Sequence, residues 1–274
     1  MSQPIGIFDS GIGGLSVLKA LREEMPNEHF IYIADSGHAP YGERDDAHVV
    51  ARSLAIAGYL VGQNVKALVV ACNTATAAAI DLLRATYPNL PIVGVEPALK
   101  PAVAISQTRH IAVMATRSTL GSRRFAALLD AHSGQACFTL LPCDGLAEAI
   151  EQSVQALDTT KLIAACARSI RAKGTFNNKN ESENGLKSFD TLVLGCTHYP
   201  FAAQHIAALV GPGVQLLDTC DAVARQTRRL LGWANPAQQG QQMAFISTGH
   251  PAPLQAAVSA WLDLKADVQT LFIQ

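Results

Sequence analysis

Two short stretches of this chain repeat one another, and that repetition restricts the fold more than any other feature. Ala67-Leu-Val-Val-Ala-Cys72-Asn73-Thr74 and Thr191-Leu-Val-Leu-Gly-Cys196-Thr197-His198 each run from an apolar segment through a small residue to a cysteine, then to two hydrogen-bonding residues. A helical pattern follows each one, over residues 75–85 and 201–210. Each cysteine is therefore expected where a strand ends and a helix begins. Helix N-termini offer free N–H groups and partial positive charge. Both favour the thiolate, which is the reactive form of cysteine. Two cysteines set up in the same way point to two matched thiols working on one substrate.

The rest of the chain supports a duplicated α/β architecture. Strand-like runs are expected at 5–8, 30–34, 91–95, 111–115, 137–141, 214–217, 243–247 and 268–273, with amphipathic helical spacing between them. Near-continuous apolar strands alternating with helices predict mainly parallel sheets covered by helices on both faces. Ile111-Ala-Val-Met-Ala-Thr116 mirrors Ile5-Gly-Ile-Phe-Asp9-Ser10. The interval from Thr116 to Cys196 exceeds that from Asp9 to Cys72 by about the length of a polar stretch at 173–188, which reads as an exposed insertion. The expected organisation is thus two pseudo-symmetric α/β domains, residues 1–97 with 212–274 and residues 98–211. Each places its cysteine at the carboxyl end of a strand, where open α/β sheets bind ligands. The turn-rich loop Asp35-Ser-Gly-His-Ala-Pro40-Tyr41-Gly42 is a candidate substrate loop.

Composition excludes several classes. A net charge of −1 and the lack of a basic patch argue against a nucleic-acid partner. No apolar run reaches the roughly 20 residues that span a bilayer, and no signal-peptide pattern precedes the first strand, so a cytoplasmic location is expected. The six cysteines form no CxxC pair and no zinc spacing, which favours free thiols and no metal. Cys137, Cys143, Cys166 and Cys220 read as small core residues. The loop Gly11-Ile-Gly13-Gly14 lacks the spacing of a dinucleotide fingerprint.

Two acid–base groups on opposite sides of a carbon can take a proton from one face and return one to the other, inverting a stereocentre. Cysteine suits this because its reference pKa of about 8.5 keeps both protonation states accessible near neutrality. Asp9 and His198 stand where they can tune Cys72 and Cys196. Ser10, Asn73, Thr74 and Thr197 can hold a carboxylate with neutral donors. No Arg or Lys lies in these motifs, which suits a small amino acid better than a nucleotide. These residues alone leave open a racemase for glutamate, one for aspartate or another small acid, a small-molecule binder, and a cysteine hydrolase.

Four segments carry a family resemblance: Ile5-Gly-Ile-Phe-Asp-Ser-Gly-Ile-Gly-Gly-Leu-Ser16, Ala39-Pro-Tyr-Gly42, Ala71-Cys-Asn-Thr-Ala-Thr76 and Leu194-Gly-Cys-Thr-His-Tyr-Pro200. In combination they resemble the glutamate racemases, within the aspartate/glutamate racemase superfamily. The resemblance implies a cofactor-independent enzyme with its active site at the domain interface, supplying D-glutamate for peptidoglycan, and a homodimer. It implies Cys72 as the acid–base residue for D-glutamate and Cys196 for L-glutamate, with Asp9, His198 and Glu151 in support. Glu148 is a rival for the role of Glu151. Substrate contacts implied are Asp9, Ser10, Tyr41, Gly42, Asn73, Thr74, Thr197 and His198. Some members of that family carry a long N-terminal extension linked to activation by a cell-wall precursor. Here the first strand starts almost at the first residue, so that regulation is not expected.

Overall fold

The computed structural model describes residues 3–154, 159–171, 189–232 and 241–273, and the polar stretch at 173–188 lies outside them. The chain forms two compact units, Met1–Val95 with Cys220–Gln274, and Glu96–Thr219. In chain order the first unit begins β1 (Ile5–Asp9), α1 (Leu15–Glu24), β2 (Phe30–Ala34), a 3-10 turn (Tyr41–Glu43), α2 (Asp46–Gly62), β3 (Ala67–Val70), α3 (Asn73–Thr86) and β4 (Ile92–Gly94). The second unit holds α4 (Leu99–Ile105), β5 (His110–Ala115), α5 (Arg117–Gly121), α6 (Arg123–Ser133), β6 (Cys137–Pro142), α7 (Leu146–Ser153) and α8 (Thr160–Arg171). It continues with β7 (Thr191–Leu194), a 3-10 turn (Tyr199–Ala202), α9 (Ala203–Val210) and β8 (Gln215–Leu217). The chain then returns to the first unit with α10 (Cys220–Leu231), β9 (Met243–Ser247), α11 (Pro251–Leu262) and β10 (Val268–Thr270).

Each unit is built on a parallel sheet, as expected for an α/β chain of this pattern. The first has strand order β10-β9-β2-β1-β3-β4 and the second β6-β5-β7-β8. Every strand pairing among the described residues is parallel. The order β2-β1-β3-β4 therefore recurs as β6-β5-β7-β8, and the first unit adds β9 and β10 at one edge. The duplication seen in the two cysteine motifs is a duplication of four-strand topology.

The central strands are apolar along their whole length because both faces are covered. All positions of β1, β3 and β7 are buried. In the first unit Phe8, Leu68 and Val70 pack with Ile56 and Leu60 of α2 and Ile80 and Leu83 of α3. In the second, Ile111, Val113 and Val193 pack with Leu99, Ala102 and Val103 of α4 and Phe125 of α6. Each fully buried side chain of this size contributes roughly 1.5–3 kcal/mol by leaving water.

Several boundaries differ from the sequence reading for identifiable reasons. The return crossing falls between Thr219 and Cys220 rather than at 211/212, because β8 pairs with β7 and so belongs to the second sheet. The segment around Pro97 and Pro101, where the first crossing was expected, is helical. It contains α4, which accepts Pro101 in its first turn, where no intrahelical N–H is needed. The helical stretch expected between the strands at 111–115 and 137–141 is two helices, broken at Ser122, whose hydroxyl accepts from Phe125 N–H at 3.1 Å and so caps α6.

Candidate active site

In both sheets the first strand of the repeat sends the chain to one side and receives it back on the other. This topological switch point lies between β1 and β3 in the first unit and between β5 and β7 in the second. Ligands bind open α/β sheets outside the carboxyl ends of such strands. Cys72 and Cys196 each lie two residues past the end of β3 and β7. One residue earlier, Ala71 N–H donates to Phe8 C=O at 2.8 Å, and Gly195 N–H donates to Met114 C=O at 2.7 Å. The two cysteines thus hold the same place in the two sheets, and both are buried.

In the first unit Cys72 is the N-cap of the 14-residue α3, and its sulfur accepts from Ala75 N–H at 3.5 Å. The thiol also contacts Ser10 Oγ at 3.8 Å. Ser10 in turn donates to Asp9 Oδ1 at 2.9 Å, and Gly11 N–H donates to the same oxygen at 3.1 Å. Asp9, the last residue of β1, is wholly buried. The sequence placed Asp9 near Cys72, and the structure links the two through the Ser10 hydroxyl. Gly14 is required beside this carboxylate, since a Cβ there would sit 2.8 Å from Asp9 Cβ and 2.9 Å from Tyr32 Oη. Asn73 Nδ2 reaches Val95 C=O at 3.5 Å, and Asn73 and Thr74 are both buried in the first turn of α3.

In the second unit Cys196 is followed by a 3-10 turn rather than directly by an α-helix. Its sulfur lies 3.6 Å from His198 Nδ1, and His198 Nε2 lies 2.8 Å from Glu151 Oε1. Glu151 comes from α7. Glu148, the rival on the same helix, is exposed to Gln152 and accepts from its amide at 2.9 Å. Burial lowers the His198 pKa, but hydrogen bonds to Cys196 and Glu151, with their charges, outweigh burial and raise it well above the ordinary imidazole value. Thr197 is buried as well.

The remaining predicted contacts, Tyr41 and Gly42, open the 3-10 turn after β2. Tyr41 is fully buried and its hydroxyl donates to Asp35 Oδ2 at 2.6 Å. Asp35 fell within the candidate loop, but sequence reasoning missed Arg52 and Thr248, which meet Tyr41 on its carboxylate. A signal was available in Arg52, a charged residue on the apolar face of α2 that demands a buried carboxylate. The other cysteines are placed as expected for core thiols, except that Cys137 is exposed. Burial pushes the Cys143 thiol up to about 12 and the Cys166 thiol up to about 11, which keeps both protonated.

The arrangement offers two buried thiols, each with a polar bridge to a carboxylate. Among the described residues no group of three or more His, Cys, Asp or Glu could hold a metal ion, and no helix is long and apolar enough to cross a membrane.

Comparison with known proteins gives a consistent picture. Residues 6–177 match the family model for Asp/Glu/hydantoin racemases. The chain is 44% identical over 268 residues to the glutamate racemase of Ectopseudomonas mendocina (strain ymp), covering 97% of each chain. It is similar to the structure of Escherichia coli glutamate racemase in complex with L-glutamate and the activator UDP-MurNAc-Ala, with a TM-score of 0.86, 28% identity and 100% of both chains covered. The Francisella tularensis glutamate racemase in complex with D-glutamate gives a TM-score of 0.80 at 26% identity, over 98% of this chain and 97% of that one.

Proposed function

This chain belongs to the Asp/Glu/hydantoin racemase family and is an amino-acid racemase, and from that premise we propose that it interconverts L- and D-glutamate by two-cysteine proton transfer without a cofactor. The relatives named for glutamate support the substrate. The observation that carries the mechanism is the equivalent placement of Cys72 and Cys196 at the two switch points, each bridged to a carboxylate.

In the L-to-D direction the Cys196 thiolate takes the α-proton of L-glutamate. The electron pair left on the α-carbon is shared with the adjacent carboxylate. The Cys72 thiol then delivers its proton to the opposite face, leaving Cys196 as a thiol and Cys72 as a thiolate. The D-to-L direction runs the same steps with the roles exchanged, so no atom is gained or lost. His198 stabilises the Cys196 thiolate as a cation, and Glu151 holds the imidazole in place. The N-terminus of α3, through Ala75 N–H, does the same for Cys72, while Ser10, its own proton held by Asp9, accepts from the Cys72 thiol. The substrate carboxylates are held by Ser10, Asn73, Thr74, Thr197 and main-chain donors at Tyr41–Gly42. The D-glutamate so formed supplies peptidoglycan in the cytoplasm, and the working form is a homodimer.

The test is to incubate the purified protein with L-glutamate in deuterated water, with nothing else added. D-glutamate should appear with deuterium at its α-carbon. Turnover of aspartate but not glutamate would transfer the same mechanism to another acid. Release of a fragment with no change of hand would replace it with a hydrolase.

A further inference from the structure

The first unit contains a buried ionic cluster that the proton transfer does not use. Asp35 follows β2 directly and is wholly buried. Three side chains converge on its carboxylate. Arg52, from the buried face of α2, grips both oxygens, with Nε to Oδ2 at 3.1 Å and Nη2 to Oδ1 at 3.0 Å. Thr248, just past β9, donates to Oδ1 at 2.6 Å, and Tyr41 donates to Oδ2 at 2.6 Å. Burial alone would push the Asp35 carboxyl up, but the bonds from Arg52, Thr248 and Tyr41 prevail and hold it below the usual carboxylate range.

The cluster fastens one loop. Main-chain His38 N–H donates to Asp35 C=O at 2.9 Å, and Gly37 N–H donates to Thr248 Oγ1 at 3.1 Å. Tyr41, at the far end of the loop, is tied to the same carboxylate. The remaining Arg52 nitrogen, Nη1, donates to Ile273 C=O at 2.9 Å. The loop from 35 to 42 is therefore anchored at both ends to one charge, and that charge is neutralised by a planar bidentate partner. With its hydroxyl committed inside the protein, Tyr41 presents no side-chain donor to a ligand. What the loop can offer is main chain at Tyr41 and Gly42.

We infer that Asp35, with Arg52 and Thr248, is a positioning residue that fixes the Tyr41–Gly42 main chain for substrate binding through the Tyr41 hydroxyl. The inference rests on the racemase reading. It adds that the cluster acts on binding alike for both enantiomers, not on proton transfer. Among the described residues the second unit has no such anchor. Cys143 N–H donates to Ala115 C=O as Asp35 N–H donates to Asp9 C=O, so Cys143 occupies the equivalent position and supplies only a protonated thiol.

The experiment measures kcat and KM in both directions for wild type, Tyr41→Phe, Thr248→Val and Asp35→Asn, with thermal melting of each. Tyr41→Phe removes the tether while leaving the Arg52–Asp35–Thr248 contacts in place. It should raise KM about five- to twentyfold for L- and D-glutamate by the same factor, with kcat within about threefold of wild type. Thr248→Val should act in the same sense and more weakly. Asp35→Asn strands a buried guanidinium and should add a loss of melting temperature. Should that variant fail to fold, Tyr41→Phe and Thr248→Val decide. A folded Tyr41→Phe protein with unchanged KM, or one whose kcat falls while KM stays, overturns the inference. A wild-type protein that does not racemise glutamate overturns the underlying reading instead, so the two failures are separable.

Discussion

The two halves reach the same end by different chemistry. In the first, the path from thiol to carboxylate is Cys72–Ser10–Asp9, a hydroxyl bridge at the N-terminus of an α-helix. In the second it is Cys196–His198–Glu151, an imidazole bridge beside a 3-10 turn. The difference follows from one position. The residue after Phe8 is Asp9, whereas its counterpart after Met114 is Ala115, which offers no carboxylate. The second unit must bring its acid from elsewhere, and α7 delivers Glu151 from one side. A serine hydroxyl does not titrate in the working range, so the Cys72 side relies on dipoles and neutral donors. An imidazole does titrate, so the Cys196 side carries a charge that pH can remove.

The largest expected effect tests whether both halves are needed. Cys72→Ala and Cys196→Ala should each lower racemisation by about 10²–10⁴-fold, the usual worth of a positioned acid or base. The variants should differ in what survives. With Cys72 gone, Cys196 can still exchange the α-hydrogen of L-glutamate with solvent deuterium. With Cys196 gone, only D-glutamate should exchange. Near wild-type turnover in either variant would break the two-sided account.

Weaker changes should show which bridge serves which hand. L- and D-glutamate have equal free energies in water, so kcat/KM is the same in both directions for every variant. Asymmetry must be sought in isotope effects. His198→Gln or Glu151→Gln should lower kcat by about ten- to a hundredfold and make the Cys196 step limiting. α-Deuterated L-glutamate should then show an increased primary isotope effect, and α-deuterated D-glutamate a diminished one. Ser10→Ala should cost less, about three- to tenfold, because it removes a neutral bond. Its isotope pattern should be the reverse. The same pattern for both variants would mean that the bridges are not specific to one thiol.

The duplicated topology was legible because it is local. Each cysteine motif contains its own strand end and helix start, and both faces of the central strands are covered, so their apolar runs are unbroken. What escaped reading is non-local or degenerate. Glu148 and Glu151 are three residues apart on α7 and so share a helix face, and only the position of His198 separates them. Asp35, Arg52 and Thr248 meet across three elements that are distant in sequence, with only the misplaced charge of Arg52 as a hint. The three residues of β8 are too few to announce which sheet they join.

The smallest effect is on stability, and it is where the two bridges should part most clearly with pH. The folded-state pKa of His198 is raised above its unfolded value of about 6.5. A raised pKa means that the folded protein binds this proton more tightly. Its contribution is then fully present below the unfolded value and is lost as pH rises through the folded one. Removing the imidazole with His198→Gln should therefore destabilise most near pH 6, by about 1.5–3 kcal/mol for a charge-assisted hydrogen bond. The difference from wild type should shrink as the solution is made alkaline. Ser10→Ala removes a group with no proton to lose in this range, so its smaller penalty should stay level across the series. Urea unfolding of the three proteins from pH 6 to pH 9 would show both slopes. A His198→Gln penalty that stays constant or grows with pH would mean that the imidazole is neutral in the folded protein, and the contrast between a charged and an uncharged bridge would be lost.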